Sequence, residues 1–528
     1  MKSLYLVGFI FAVVALWAVY LPHNAAGESN ELHSSRTLSE KKAMTLAFVE
    51  RMLKEYPLPG VMLSVVYKNE TVLAQGVGTT QFGREDTPVA AHTFFQVGSF
   101  TKTFTALGIA KLIDEGRMLW NDRVKQHLPW FQLQDKYAEK YTTLADLLSM
   151  NSVFGRGAGD SPMFFGVWST ERQIVENLAY YNTSDRPLRA GYAFSNLNFE
   201  ILGQVIEYAT NMTWFDFVKV SILDPLGMNE TFGRTGDASP RNELSSGHFS
   251  CGNKIVGPFD LNLAQQVKLV PWNGYLAAGS IVSTAQDMAK LSHFFLRQGS
   301  GIFKNTKLFQ DMTTGHTVIP LNPRLAAMYG LSFNPDGDAM GNGYGFDFVG
   351  KLLFGYDFYM KNGGTPSFHL ANGFVSSEGL GVVVGTNVIE MDSIPTTNTN
   401  LGEAMRSYIM GIFLDIPQDE LEAMWTAYES RGKRLVLIFL KAFKQNLWAI
   451  IHRVVSSGYY GNATIFRQDS NLILQYGAYS GPLFATEDPS TLIWDVDYND
   501  GTIAFILSKL NTRQPQLAYK DLTFVRVK

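Results

Sequence analysis

Between Thr87 and Ala110 the chain carries no Asp, Glu or Arg. Its one full charge there, Lys102, stands among Phe94, Phe95, Val97, Phe100, Phe104, Leu107 and Ile109. So apolar a stretch belongs in a core, and it takes the lysine in with it or holds it at the core's edge. Ser99 lies three residues earlier. If it begins the helix, as serine favours, the i, i+3 spacing sets hydroxyl and ammonium on one face, a turn apart. Burial disfavours the charged amine and lowers its pKa, so the neutral form can take a proton from a neighbouring hydroxyl. Ser99 is thereby a candidate nucleophile and Lys102 its base. On spacing alone, an N-cap serine and a lysine snorkelling from an ordinary helix read the same way.

With 528 residues, 46% of them apolar, the chain can build sizeable cores, and its net charge of −4 offers no basic field for nucleic acid. Cys251 is the only cysteine, so no intramolecular disulfide can form and stability must come from packing. Lys2, an uncharged run from Leu4 to Leu21, Pro22 and the small residues Ala25-Ala26-Gly27 are laid out as a secretory signal peptide cut after Gly27. The same run is long enough to serve as a membrane anchor instead. Asn-x-Ser/Thr sequons at Asn69, Asn182, Asn211, Asn229 and Asn462 fit passage through a glycosylating lumen. The expectation is a secreted, extracellular glycoprotein with no membrane attachment after cleavage.

Taken in order, residues 1–27 are the signal and 28–416 form the main domain. That domain opens with a helix ending before Pro57, then strands over Val61–Tyr67 and Val72–Val77. The Ser99 helix runs to Gly116, and further helices follow at Thr142–Met150, Ala193–Ala209, Asp216–Leu223 and Thr284–Phe295. Strand character returns at Phe358–Met360 and Leu380–Gly385. Strands at both ends of a long helical middle imply one antiparallel sheet closed by the termini of the domain, an α+β arrangement that brings the Lys361 strand near Ser99. Residues 417–455 read as a helical connection, and 456–528 as a small all-β domain. In that last part Asp500-Gly501 signals a two-residue hairpin turn.

Three sites stand in order: Ser99-x-x-Lys102, Phe194-Ser195-Asn196 and Lys361-Asn362-Gly363. With Pro59-Gly60, Pro225-Leu226-Gly227-Met228, Ala278-Gly279 and Gly363-Gly364-Thr365-Pro366 in sequence, the chain from about Leu46 to Asn387 resembles the serine β-lactamase and penicillin-binding-protein superfamily. It looks most like the class C β-lactamase and esterase-like branch, and its tail is similar to the lipocalin-like domain often appended there. The resemblance implies a β-lactamase/transpeptidase-like fold and an acyl-enzyme on Ser99, with Lys102 as the activating amine. Asn196 would hydrogen-bond the substrate amide and Lys361 would supply positive charge. Gly363, Gly364 and Thr365 would line the substrate strand, and the backbone N–H of Ser99 with one from the strand after Gly363 would form the oxyanion hole. Alone, Asn196 reads equally as a helix cap and Lys361 as a surface charge.

One departure bears on turnover. The branch has Tyr-x-Asn at its second site, and here Phe194 stands at the tyrosine position, with no hydroxyl to relay a proton. Losing a general acid–base group typically costs on the order of 10²–10⁴ in rate. Asn362 replaces the usual Thr or Ser, and Met150-Asn151-Ser152-Val153 lacks the glycine common in that loop. No His-x-His or His-Glu-x-x-His pattern and no phosphate-cradling glycine run occurs, so no metal or cofactor is expected. Asp336-Gly337-Asp338 with Asn342 reads as a surface loop. Two functional readings stay open. One is a serine hydrolase of peptides, amides or esters; the other is a catalytically inactive extracellular protein that binds peptide, glycan or matrix components, or belongs to a secreted or mineralised matrix.

Overall fold

The strand pattern read at Val61–Tyr67 builds a strand buried along both faces. In the computed structural model, which describes residues 35–320, 339–390, 401–435 and 454–526 apart from short loop stretches, β1 is Gly60–Tyr67 and β2 is Glu70–Gly78. Side chains alternate across a strand. Met62 and Val66 accordingly enter one hydrophobic core while Val61, Leu63 and Val65 enter another on the opposite face.

The remaining strands of this sheet come from after the helical middle: β3 Thr317–Val318, β4 Gly341–Asn342, β5 Phe348–Leu353, β6 Tyr356–Met360, β7 Gly363–Gly364, β8 His369–Val375 and β9 Leu380–Thr386. The order is β2-β1-β9-β8-β6-β5-β4-β3, antiparallel throughout, with the short β7 paired to β8. The early strand β1 lies against the late strand β9, from Val61 opposite Thr386 to Val66 opposite Gly381. The domain's two ends thus close its sheet, and the α+β class follows.

Helices cover both faces. On one lie α1 (Leu38–Glu55) and, from late in the chain, a helix spanning Leu401–Phe413, which supply Phe48, Val49, Met52, Met405, Ile409 and Ile412. On the other are α2 (Thr101–Asp114), α3 (Asp160–Phe164), α4 (Leu197–Thr210) and α5 (Ala285–Leu296), with Leu107, Met163, Ile201 and Phe295 in the larger core. The Leu401–Phe413 helix is α6, and α7 (Gln418–Leu435) follows it.

The C-terminal strands from Val454–Val455 to Leu522–Arg526 close into an eight-stranded barrel. Thr491–Asp495 and Thr502–Ser508 pair as neighbours, and their register begins at Asp495 opposite Thr502. Residues 496–501, which include the expected turn pair Asp500-Gly501, join these two strands. That connection, the N-terminal signal run and Asp336–Asp338 lie outside the described residues, and so does 436–453 within the expected helical connection.

Candidate active site

Ser99 does not cap a helix. Gly98–Phe100 forms a 3₁₀ turn that runs into α2, and neither segment has a side-chain N-cap bond. The turn seats against β7. Gly98 adopts φ +53, and a Cβ there would lie 2.6 Å from the carbonyl oxygen of Gly364. A Cβ on Gly363 would lie 1.8 Å from that of Val97. Only bare backbone lets the two chains cross this closely.

Lys102 is fully buried. Its Nζ lies 3.0 Å from Ser99 Oγ, 2.7 Å from Asn196 Oδ1 and 2.7 Å from the carbonyl oxygen of Ala278. An ammonium donates to all three; the neutral amine donates to the two obligate acceptors and turns its lone pair to the third neighbour, the serine hydroxyl. The surroundings favour that neutral form. Burial, and then the nearby Lys361 charge, bring Lys102 down to about 7, against the opposing pull of Asp347, Asp160 and Glu200.

Asn196 stands at the start of α4 without capping it. Its amide instead donates to Asp160 Oδ2 at 2.8 Å while its carbonyl accepts from Lys102. Lys361 is not a surface charge. It is 2% exposed, follows β6, and pairs with Asp347 Oδ1 at 2.7 Å. Phe194 lies against both lysines, its ring centroid 4.9 Å from Lys102 Nζ and 5.3 Å from Lys361 Nζ, so its aromatic face lends both cations a cation–π contact.

Two buried carboxyl groups support Lys102 from behind. Glu171 accepts from the N–H of Ala277 and from Trp214 Nε1 at 3.0 Å, and Glu200 accepts from the N–H of Ala278 at 3.1 Å. They pin the backbone whose next carbonyl receives the lysine. Burial raises both above the usual glutamate range; the neighbouring Glu200 raises Glu171 further, while the hydrogen bond from Glu171 lowers Glu200, so the proton the pair retains sits on Glu171.

Ser99, Phe194, Lys361, Gly363 and Gly364 line one cavity of 440 Å³, with Arg156, Tyr192, His369 and Glu403 on its walls. Ser99, Lys102, Asn196 and Lys361 thus meet in one place. Thr365, expected on the substrate strand, is buried, and its hydroxyl accepts from the N–H groups of Ser367 and Phe368 in the turn between β7 and β8. Asn362 is likewise spent on structure, donating to Glu403 and accepting from the N–H of Asn372. Of the sequon asparagines, Asn69, Asn182, Asn211 and Asn229 are exposed. Sequence reasoning missed Asp160, Asp347 and the Glu171–Glu200 pair. Each is an isolated acid whose partner is remote in the chain, and only Asp160 had a signal, its place beside the glycine-bearing loop Gly155–Gly159.

The Beta-lactamase family model matches residues 46–397. The chain is similar to Unguisins hydrolase ungD' of Aspergillus campestris (strain IBT 28561), 25% identical over 387 residues that cover 70% of this chain and 65% of that protein. It is also similar to Beta-lactamase-like protein 2 of Dictyostelium discoideum, 26% identical over 270 residues, 50% of this chain and 47% of that one. The chain therefore spans less than two thirds of the length of these relatives. Its fold is shared with the octameric penicillin-binding protein homologue from Pyrococcus abyssi, with a TM-score of 0.59 at 19% identity over 92% of this chain and all of the other.

Proposed function

The chain belongs to the Beta-lactamase family, and from that premise we propose that it hydrolyses a peptide, amide or ester through an acyl-Ser99 intermediate, slowly because Phe194 replaces a tyrosine. The observation that carries this is the fully buried Lys102, 3.0 Å from Ser99 Oγ with two further acceptors fixing its remaining directions. Neutral Lys102 takes the Ser99 proton as Oγ bonds to the substrate carbonyl carbon. The backbone N–H groups of Ser99 and Gly364 hold the oxyanion, and Lys361 adds positive charge beside it. As the tetrahedral intermediate collapses, the bond to the leaving group breaks and the leaving group takes the proton back from Lys102. Water, deprotonated by Lys102, then releases the acid and frees Ser99. Phe194 can relay no proton in either half, so this second step is the slow one. A relative named as a hydrolase supports the class of reaction.

Phe194 also favours a second reading, in which the cleft holds peptide, glycan or matrix ligand without turnover. In either case we take the protein to be secreted and glycosylated, a reading supported by the exposed Asn69, Asn182, Asn211 and Asn229. The deciding experiment offers β-lactams, activated esters and a fluorophosphonate to the purified protein and follows intact mass. A label on Ser99, lost in Ser99→Ala and Lys102→Ala, supports the hydrolase. Folded protein that accepts no label from any probe would move the assignment to ligand binding.

A further inference from the structure

The C-terminal barrel touches the main domain at the segment that carries Asp160, and it grips that segment at both ends. At its start, Tyr459 is completely buried and donates its hydroxyl to the carbonyl oxygen of Gly159 at 2.8 Å. Tyr459 is fixed in turn by Trp168 Nε1, which donates to its carbonyl oxygen at 3.0 Å, and by the Tyr181 ring, edge-on at 5.3 Å. Gly159 has φ +76, and a Cβ there would meet Leu197 at 2.6 Å and the Tyr459 ring at 3.2 Å, so the barrel seats on bare backbone.

At the other end of α3, Phe165 enters an aromatic pocket made of barrel residues, with ring centroids 5.3 Å from Tyr476, 5.7 Å from Tyr479 and 5.8 Å from Trp494. Its carbonyl oxygen accepts from the N–H of Ala478 at 2.9 Å. Next to it Gly477, at φ +59, leaves room for the approach: a Cβ there would lie 2.3 Å from that same oxygen. Between the two grips, Asp160 receives Asn196 Nδ2 at 2.8 Å, and Asn196 Oδ1 receives Lys102 at 2.7 Å. One unbroken line of contacts therefore runs from the barrel wall to the nucleophile.

We propose that the C-terminal barrel is a positioning device for the reactive pair: by gripping Gly159 and Phe165 it holds Asp160 against Asn196 and so keeps Lys102 on Ser99. Asp160 and Tyr459 are positioning residues, one acting through Asn196 and the other through Gly159. The inference rests on Lys102 being the base in the proposed reaction. It explains why a barrel that supplies none of the residues named in the cleft is built against this loop. Anything that loosened the barrel would weaken the base without touching the cavity.

The test is single-turnover acylation of full-length protein by a p-nitrophenyl ester, read against pH. Lys102 faces Lys361, Asp347, Asp160 and Glu200, and of these the Asp160 charge favours its protonated form. Asp160→Asn is therefore expected to move the midpoint down by about 1.5 pH units, as removal of a charge about 8 Å away at an effective dielectric of about 20 requires. Tyr459→Phe keeps the ring and loses one hydrogen bond. It is expected to move the midpoint in the same direction by less, and the double variant to move it no further than Asp160→Asn alone. Phe165→Leu, which loosens the second grip, supplies an independent arm should Tyr459→Phe fold poorly. If Asp160→Asn shifts the profile while both barrel-contact variants leave it in place, the barrel's part is refuted and Lys102 stays the base. If Asp160→Asn itself leaves the midpoint unmoved, the line of contacts is refuted. A wild type that is never acylated overturns the hydrolase reading and this inference with it.

Discussion

Replacing Lys361 by methionine probes the electrostatics of Lys102 with a sign and a size. The two ammonium nitrogens sit 4.9 and 5.3 Å from the centroid of one ring, so they are at most about 10 Å apart. At an effective dielectric of about 20, unit charges at that distance repel by about 1.7 kcal/mol, or about 1.2 pH units. Lys361 lowers Lys102, so its removal raises the pH at which the amine becomes neutral. Acylation depends on the neutral amine and rises with pH through that value. The profile of Lys361→Met should therefore move upward by about one unit or more from a wild-type midpoint of about 7. Asp347 acts in the opposite sense, and Asp347→Asn should move the midpoint downward. Stopped-flow single-turnover acylation with a p-nitrophenyl ester reads both. A Lys361→Met profile that stays in place or moves to lower pH would refute the claim that Lys102 is the titrating base, whatever happens to the absolute rate.

Phe194→Tyr returns a hydroxyl beside Lys102 and Lys361; the acyl-enzyme lifetime, followed by time-resolved intact mass, should shorten by about tenfold or more, since a placed acid–base group contributes on the order of 10²–10⁴. A lifetime that is unchanged or longer would refute the claim that the missing hydroxyl limits release of the acyl group. Glu200→Gln tests the proton held by the buried pair. The raised folded-state pKa values of Glu171 and Glu200 contribute stability that is full below the unfolded glutamate value near 4.5 and is lost as pH rises through the folded values. Glutamine can still accept from the N–H of Ala278 and donate to Glu171, so the variant should flatten the decline in stability as pH rises above the unfolded glutamate value, where each pH unit per excess proton is worth about 1.4 kcal/mol. Urea unfolding at several pH values reads this directly, and a decline as steep as that of the wild type would count against proton sharing.

Ser99 and Lys102 were legible because their signal is local: three residues apart, in a stretch whose only full charge is the lysine. Asn196 and Lys361 were legible through their order along the chain, although by themselves they read as a helix cap and a surface charge. Both of those plainer roles give way to contacts with remote residues, Asp160 for Asn196 and Asp347 for Lys361. Thr365 shows a local role that the sequence did not signal. It follows two glycines at the cleft's edge, yet its hydroxyl satisfies the N–H groups of a tight turn.

The sequence by itself determined the periodic elements, the burial of a lysine one turn from a serine, and the meeting of early and late strands in one sheet. Each of these follows from hydrophobic pattern and spacing, which act over a few residues. Tertiary structure alone decided how strong a base that lysine is. Its proton affinity is set by charges from four separate parts of the chain, Asp160, Glu200, Asp347 and Lys361, and by the depth at which packing holds them. Tertiary structure also decided that the barrel reaches the site, through Gly159 and Phe165. Coulomb energy depends on distance in space and on exclusion of water, and neither quantity is written in the order of residues.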